Sequence, residues 1–246
     1  MGKIDNMTAT YKIRRITRTR KTGITTPAFC TLEATLKFDG EEAPHCVYNE
    51  YVALRLAQTL HAPVAEGVLT STGDGPAYAS LMLDSPGINL PDVLETQFDQ
   101  VAKRYPQPVA LLVAYDLFIG NRDRARNLKA ALATPHIQLF AAFDHSHALL
   151  GVDQQPERSI SQLQQGDLLV RSHPFYGRVQ GALLQRQTAR IAALSEDIIR
   201  ECCQMGKAFR GVSESLQTAL AEALIQRRRY LEGIVQFHDS VIRAQP

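Results

Sequence analysis

The residues in this sequence best suited to chemistry are Asp123, Asn127 and Asp144, two acids and an amide within one short stretch. Carboxylate and amide oxygens are hard donors of the kind that Mg²⁺ accepts, and this ion usually completes its shell with water and substrate phosphates. A further carboxylate nearby can accept a proton from a hydroxyl group or orient that group. Together these residue types fit phosphoryl transfer, in which positioning and charge neutralisation provide most of the catalysis.

The same residue types are also common in turns, where their side chains bond to nearby backbone groups. Residues 121–127 read Asn-Arg-Asp-Arg-Ala-Arg-Asn and could by themselves be a solvated loop that follows a helix. Short motifs of this length often match by chance. On these residues alone, both interpretations stay open.

Elements on both sides of this loop would place the three residues together. The apolar run at residues 109–119, with Pro108 in its first turn, predicts a helix buried on almost all sides that leads to Asp123 and Asn127. After the loop, residues 129–133 and 139–143 predict the two strands of a hairpin. The turn of this hairpin is expected at Thr134-Pro135-His136, and the hairpin would bring Asp144 back beside Asn127.

Upstream, Lys37 and Glu50 form a second pattern. Lys37 lies near the end of a predicted strand at residues 33–38, and Glu50 lies in the first turn of a predicted helix at residues 47–60. A lysine in an apolar strand is uncommon unless its amine reaches a partner or points to water from an edge. An acid in the first turn also suits the helix dipole. In protein kinases such a strand lysine and helix glutamate form an ion pair that positions nucleotide phosphates, and the order here fits that arrangement.

Two further segments could contact a nucleotide. The turn at residues 21–27 contains Gly23, Thr25 and Thr26, and its backbone amides could cradle phosphate oxygens, although a plain hairpin turn explains the same residues. Residues 84–89 break the strand pattern and predict a hinge, with backbone groups around Leu83 placed to hold adenine.

Taken in order, these motifs resemble the HipA-like kinases and, more distantly, the phosphoinositide kinases, over roughly residues 12–150. Residues 23–27 are similar to that family's phosphate loop, residues 121–124 to its catalytic loop, and residues 144–146 to its metal-binding Asp motif. The resemblance implies an α+β, bilobed protein-kinase-like fold. It places a small β-rich lobe at residues 1–84 and a larger, mainly helical lobe at residues 85–246.

The resemblance also implies roles for individual residues. Asp123 would be the catalytic aspartate, Asn127 and Asp144 would hold Mg²⁺, and Lys37, paired with Glu50, would contact the phosphates of ATP. The implied reaction moves the γ-phosphoryl group of ATP to a hydroxyl group, on Ser or Thr of a protein. A small-molecule phosphotransferase of the same fold is the first alternative.

The catalytic loop departs from the family in one respect. The family separates the catalytic Asp from the metal-binding Asn by four residues, whereas three residues separate Asp123 from Asn127. The second alternative is therefore a catalytically degraded protein that keeps the fold and binds nucleotide without turning it over.

Composition excludes several classes of protein. The chain has 246 residues, of which 45% are hydrophobic and 21% charged, and these values are ordinary for a globular protein. The net charge of +2 gives no reason to expect a nucleic-acid or membrane partner, although a basic segment at residues 12–21 leaves a nucleic-acid contact as a third alternative. The four cysteines form no C-x-x-C pair and no apolar run reaches transmembrane length, so we expect a cytoplasmic protein.

The rest of the chain predicts further elements but no further motif. Residues 153–166 predict a polar loop, and Arg227, Arg228 and Arg229 predict an exposed helix face. Additional strands are predicted at residues 11–20, 28–32, 64–70 and 76–83, and additional helices at residues 90–105, 178–190, 195–205 and 213–244.

Overall fold

Among the described residues, most of the strands lie before residue 90 and most of the helices lie after it. The computed structural model describes residues 10–19, 27–85, 88–133 and 137–243. This division confirms the predicted α+β class, with a small β-rich N-terminal part and a mainly helical C-terminal part. Within the described ranges, no helix combines the length and apolar character needed to cross a bilayer.

The N-terminal strands form three small antiparallel sheets. Strands β2 and β3 pair as a ribbon, β6 lies between β4 and β5, and β7 lies between β1 and β8. Residues 84–85 and 88–89 of the predicted hinge therefore belong to strands of the β1–β7–β8 sheet. The bounds are β1 Thr10–Tyr11, β2 Ile13–Thr19, β3 Ala28–Leu32, β4 Ala34–Lys37, β5 Gly67–Thr72, β6 Gly75–Leu81, β7 Leu83–Ser85 and β8 Ile88–Asn89.

Helix α1, Cys46–Leu60, is the one long helix within this N-terminal part of the described chain. Its apolar residues Val47 and Leu54 pack against Tyr78 of β6 in a buried cluster. The backbone amide of Val47 donates to Asp39 Oδ1 at 2.9 Å, which satisfies one of the amide groups that a helix start leaves unpaired. These contacts hold helix α1 against the β4–β6–β5 sheet.

The C-terminal part is assembled around helix α3. All of its residues from Val109 to Ile119 are buried, as predicted, and it begins three residues earlier than predicted because Pro106 and Pro108 are accepted in a first turn. It ends at Gly120, whose φ of 72° is a left-handed conformation that glycine adopts without strain. The elements are α2 Phe98–Arg104, α3 Pro106–Ile119, β9 Leu128–Ala130, β10 Phe140–Ala142, α4 Pro156–Gln164, α5 Gly181–Ala192, α6 Glu196–Cys203, α7 Glu214–Phe237 and α8 Asp239–Ile242.

The helix predicted at residues 90–105 is shorter in the structure. Helix α2 covers only its second half, after a 3₁₀ turn at Glu95–Gln97. Pro91 disfavours a helical conformation at Leu90, and the amide of Val93 instead donates to Leu128 O at 2.9 Å. Pairing with the neighbouring strand thus replaces the first helical turns.

The prediction of a polar loop at residues 153–166 is wrong for most of this range, because helix α4 spans Pro156–Gln164. Pro156 occupies the first turn of the helix, where its missing amide costs nothing. Ser159, Ile160 and Leu163 are buried on one side of it. The i, i+1, i+4 spacing of these residues was a helical signal that the polar composition obscured.

The prediction that residues 227–229 form an exposed face is wrong for Arg227, whose side chain is fully buried. Its Nε donates to Leu117 O at 2.9 Å and its Nη1 to Gln165 O at 3.2 Å. Leu117 lies in the last turn of α3, where carbonyl groups lack partners within the helix. Burial lowers the pKa of Arg227 to about 10, so the side chain is still a cation at neutral pH. Arg227 therefore anchors the end of α3 from the distant helix α7.

We expect Arg227→Met to lower the free energy of unfolding by about 2–4 kcal/mol, because two carbonyl groups would lose a charged donor. Arg229→Met is the matched control, since Arg229 is exposed and its one ion pair among the described residues is with Glu196 on the surface. A surface ion pair contributes about 0–1 kcal/mol. Urea unfolding of the two variants tests this, and equal midpoints would contradict the anchoring role.

Candidate active site

Lys37 lies between two carboxylates at the end of β4. Its Nζ is 2.6 Å from Glu50 Oε1 of α1 and 3.0 Å from Asp144 Oδ1, which follows β10. Burial alone would lower the pKa of Lys37, but the charges of Glu50 and Asp144 raise it above its ordinary value. Burial would likewise raise the pKa of Asp144, but Lys37 holds it well below its usual range. All three groups are therefore charged at neutral pH.

Glu50 also fixes the segment that follows Asp144. The backbone amide of His145 donates to Glu50 Oε1 at 2.8 Å. Although burial opposes its charge, contacts with His145 and Lys37 lower the pKa of Glu50. The buried Glu50 carboxylate thus joins strand β4, helix α1 and the segment after β10 at one point.

Asn49 adds a second connection between α1 and this segment. Its Nδ2 donates to Ser146 O at 3.0 Å, and its Oδ1 accepts from the amide of Leu150 at 3.2 Å. Gly151 lies close by, since a Cβ atom there would be 2.3 Å from Ser146 O. Asn49 directly precedes Glu50 in the chain, and the sequence motifs assigned it no role of its own. A polar pair in the first turns of an otherwise apolar helix was the signal for a structural role of both residues.

Asp144 has a left-handed backbone conformation, with a φ of 62°, that is uncommon outside glycine and often marks functional sites. Its Oδ1 accepts from the amide of Ser146 at 3.2 Å and from the hydroxyl of Ser146 at 2.8 Å, in addition to Lys37. None of the described residues donates to Oδ2. The carboxylate is thus held by one oxygen, and the other is available to a ligand.

A buried ion pair supports the loop that follows α3. Arg124 donates through Nε to Asp116 Oδ2 at 2.8 Å and through Nη2 to Asp116 Oδ1 at 2.9 Å, and both side chains are fully buried. Arg124 Nη1 also donates to Phe143 O at 2.6 Å, one residue before Asp144. Asp116 further contacts Asn121 Nδ2 at 3.1 Å and His173 Nε2 at 3.1 Å.

Sequence reasoning missed this cluster. Arg124 was included only as part of the loop motif at residues 121–127, and no role was predicted for Asp116. The signal was present, because an acid inside a helix that is otherwise apolar on every side must have a buried partner. The cluster fixes the loop to the end of β10, and so fixes the predicted catalytic residues relative to Asp144.

Asp123 and Asn127 lie next to each other in this loop. Asn127 Nδ2 donates to the backbone oxygen of Asp123 at 2.7 Å, and the amide of Phe143 donates to Asn127 O at 3.1 Å. The carboxylate of Asp123 is exposed and contacts no other side chain among the described residues. Three intervening residues therefore allow a turn that keeps Asp123, Asn127 and the residue before Asp144 together.

The hairpin that positions Asp144 is present, with shorter strands than predicted. Strands β9 and β10 pair antiparallel, with Leu128 opposite Ala142 and Ala130 opposite Phe140. This register places Asn127 and Asp144 at the same end of the hairpin. The predicted turn at residues 134–136 lies outside the described residues.

A cleft of about 140 Å³ opens between the N-terminal sheets and the hairpin. Lys37, Leu83 and Asp144 all line it, so three of the predicted nucleotide and metal residues share one space. Gly23, Thr25 and Thr26 lie outside the described residues. The remaining lining residues are Thr35, Ala65, Ser80, Leu81, Met82, Lys129 and Phe143.

The residues around this cleft have side chains of the types that a nucleotide with Mg²⁺ would contact. The apolar side chains of Leu81, Met82 and Phe143 suit a flat base, and Lys37 suits phosphate oxygens. The described residues contain no group of three or more His, Cys, Asp or Glu side chains able to hold a metal ion by themselves. Mg²⁺ does not need such a cage, because it is commonly bound by one or two side-chain oxygens together with substrate phosphates.

Comparisons with known proteins support the fold. No family model and no curated protein matches the chain. HipA of Shewanella oneidensis MR-1, solved with HipB and operator DNA, is similar in structure, with a TM-score of 0.56 and 16% identity over 91% of this chain. The chain spans 65% of the length of that HipA chain. The proinflammatory kinase CtkA of Helicobacter pylori is similar with a TM-score of 0.55 and 14% identity, over 82% of this chain and 89% of CtkA. The fold is therefore HipA-like and kinase-like, as the sequence motifs predicted.

Proposed function

We propose that this protein is an ATP-dependent phosphotransferase that moves the γ-phosphoryl group of ATP to a hydroxyl group, on Ser or Thr of a protein. The observation that carries this proposal is the position of Lys37, which bridges the buried Glu50 and Asp144 and lines one cleft together with Asp144. Such an arrangement presents a fixed cation to phosphate oxygens and a fixed carboxylate oxygen to a metal ion.

In the proposed reaction, Lys37 binds phosphate oxygens of ATP while Glu50 keeps its amine in place. Oxygens of Asp144 and Asn127 would hold Mg²⁺, which when bound neutralises charge on the phosphates. The acceptor hydroxyl donates a hydrogen bond to Asp123, and its oxygen attacks the γ-phosphorus. The bond from that phosphorus to the bridging oxygen breaks, ADP leaves with the electron pair, and Asp123 takes the hydroxyl proton.

The test is nucleotide binding with and without Mg²⁺. We expect Asp144→Ala to abolish the Mg²⁺-dependent part of ATP affinity, because the variant loses the carboxylate with a free oxygen beside Lys37. Calorimetric titration of ATP into the variant and into Asp74→Ala, which changes an exposed acid in the β5–β6 turn, provides the comparison. Unchanged Mg²⁺ dependence in Asp144→Ala would contradict the assigned role of this residue.

A nucleotide-binding protein without turnover is the second candidate. It is favoured by one observation: the Asn127 amide group is bonded to the backbone of Asp123 in a loop one residue tighter than that of the HipA-like kinases. Thermal stabilisation by ATP together with no transfer of labelled phosphate to any protein of a lysate would support this candidate over the kinase.

A further inference from the structure

Two open clefts flank the loop that carries Asp123, on the side of Arg122. One has a volume of about 350 Å³ and is lined by Arg122, Asn49 and residues 42–45, 146–147 and 150–154, among which Glu42 and Asp153 are the acids. The other has a volume of about 520 Å³ and is lined by Arg122, Arg171, Gln165 and residues 167–169, together with Gln162 and Ser172. Arg122 directly precedes Asp123 and lines both clefts, so both clefts border the loop that carries the proposed catalytic residue.

The larger cleft is polar and carries a positive charge. Arg122 and Arg171 are exposed, and neither guanidinium has an ion pair or hydrogen bond among the described residues. By contrast, the nearby Arg124 and Arg178 each bind a carboxylate. Asp167 is the one acid that lines the same cleft, where Gln162, Gln165 and Ser172 supply neutral polar groups.

Two unpaired guanidinium groups around one cleft suit a carboxylate or phosphate group, because Arg offers several donors in a planar array. An exposed arginine is often merely solvated, but here two of them share a cleft, and one of the two directly precedes Asp123 in the chain. An anion bound there would lie next to the loop that carries Asp123.

We propose that the acceptor is an extended acidic segment of a protein, in which Asp or Glu residues flank the Ser or Thr that receives the phosphoryl group. This inference rests on the proposed kinase function and names its substrate class. Two clefts that share Arg122 as a lining residue fit an extended chain, whereas a single compact metabolite would fill one of them. Arg122 and Arg171 would each bind a carboxylate of the segment.

The experiment uses the full chain and three labelled peptides that contain a single Ser flanked by Glu, Gln or Lys. Fluorescence anisotropy measures their binding without any need for turnover. We expect the Glu peptide to bind about tenfold more tightly than the Gln peptide, and added salt to reduce this difference. Arg171→Glu should remove the preference and improve binding of the Lys peptide. Arg186→Glu, an exposed position on α5 with no partner in the described structure, is the matched control and should keep the preference.

A transfer assay with Mg²⁺ and ATP separates this inference from the proposed function. In Arg171→Glu we expect the KM for the Glu peptide to rise about tenfold while the KM for ATP stays unchanged. Charge-selective binding without transfer would support the docking surface and contradict the kinase. Transfer with equal KM values for the Glu and Gln peptides would contradict the proposal of an acidic acceptor and would support the kinase function. Arg171-dependent transfer to a phosphorylated sugar in preference to the Glu peptide would also contradict the acidic acceptor.

Discussion

Asp123→Asn is expected to reduce phosphoryl transfer at least 100-fold while ATP affinity changes less than about twofold. Asn has nearly the same shape as Asp but cannot accept the proton of the acceptor hydroxyl. The exposed carboxylate of Asp123 makes no side-chain contact in the described structure, so the variant should fold normally. Transfer of labelled phosphate from ATP and calorimetric ATP titration measure the two effects separately.

Asp197→Asn is the control for this experiment, because the side chain of Asp197 on α6 is 97% exposed and its one ion pair among the described residues is with Arg200. It should transfer phosphate like the unchanged protein. An Asp123→Asn variant that transfers phosphate at the unchanged rate would remove Asp123 from the mechanism. This result would not contradict the proposed nucleotide site, since the ion pairs of Lys37 do not involve Asp123.

The second large effect is on stability. Asp116→Asn should lower the free energy of unfolding by about 3–5 kcal/mol, because the buried charge of Arg124 would lose its partner. Arg124→Met should cost a similar amount for the converse reason. The double variant should be more stable than the sum of the two changes predicts, since neither charge is then left unpaired. Urea unfolding of all four proteins measures this coupling, and strict additivity would contradict it.

The same pair predicts a dependence on pH. Burial would raise the pKa of Asp116, but Arg124 and His173 together lower it below its ordinary value. A carboxyl group with a lowered folded-state pKa contributes stability fully above its unfolded pKa, about 3.9, and loses it as the pH falls through the folded value. The unchanged protein should therefore lose stability below about pH 4 more steeply than Asp116→Asn, which urea unfolding at several acidic pH values would show.

Local patterns and their order were sufficient to predict the centre of the site. The apolar run before Gly120 indicated α3, and the strand-like apolar run at residues 139–143 indicated the hairpin that carries Asp144. Lys37 and Glu50 were found because a polar residue in an apolar element needs a nearby partner. These signals depend on residues close in sequence, or on pairs whose order a known fold explains.

The parts that were missed depend on contacts between distant residues. Arg227 lies in a run of three arginines that is typical of a solvated helix face, and the distant carbonyl groups of Leu117 and Gln165 make its burial favourable. Val93 fits a helical pattern in the sequence, but its backbone amide donates to the carbonyl group of Leu128 instead. These partners cannot be identified from the neighbouring sequence, because tertiary hydrogen bonds outweigh local propensities of a few tenths of a kcal/mol.

The anchor between α7 and α3 has a consequence for synthesis of the chain on the ribosome. Arg227 is translated 110 residues after Leu117. At 5–20 residues per second, the residues of α3 are therefore synthesised roughly 6–22 s before Arg227. During that interval the nascent polypeptide contains the nucleotide-facing residues but lacks the support beneath their loop. A ribosome-stalled chain released before α7 would then carry every proposed catalytic side chain and still have an unsupported loop.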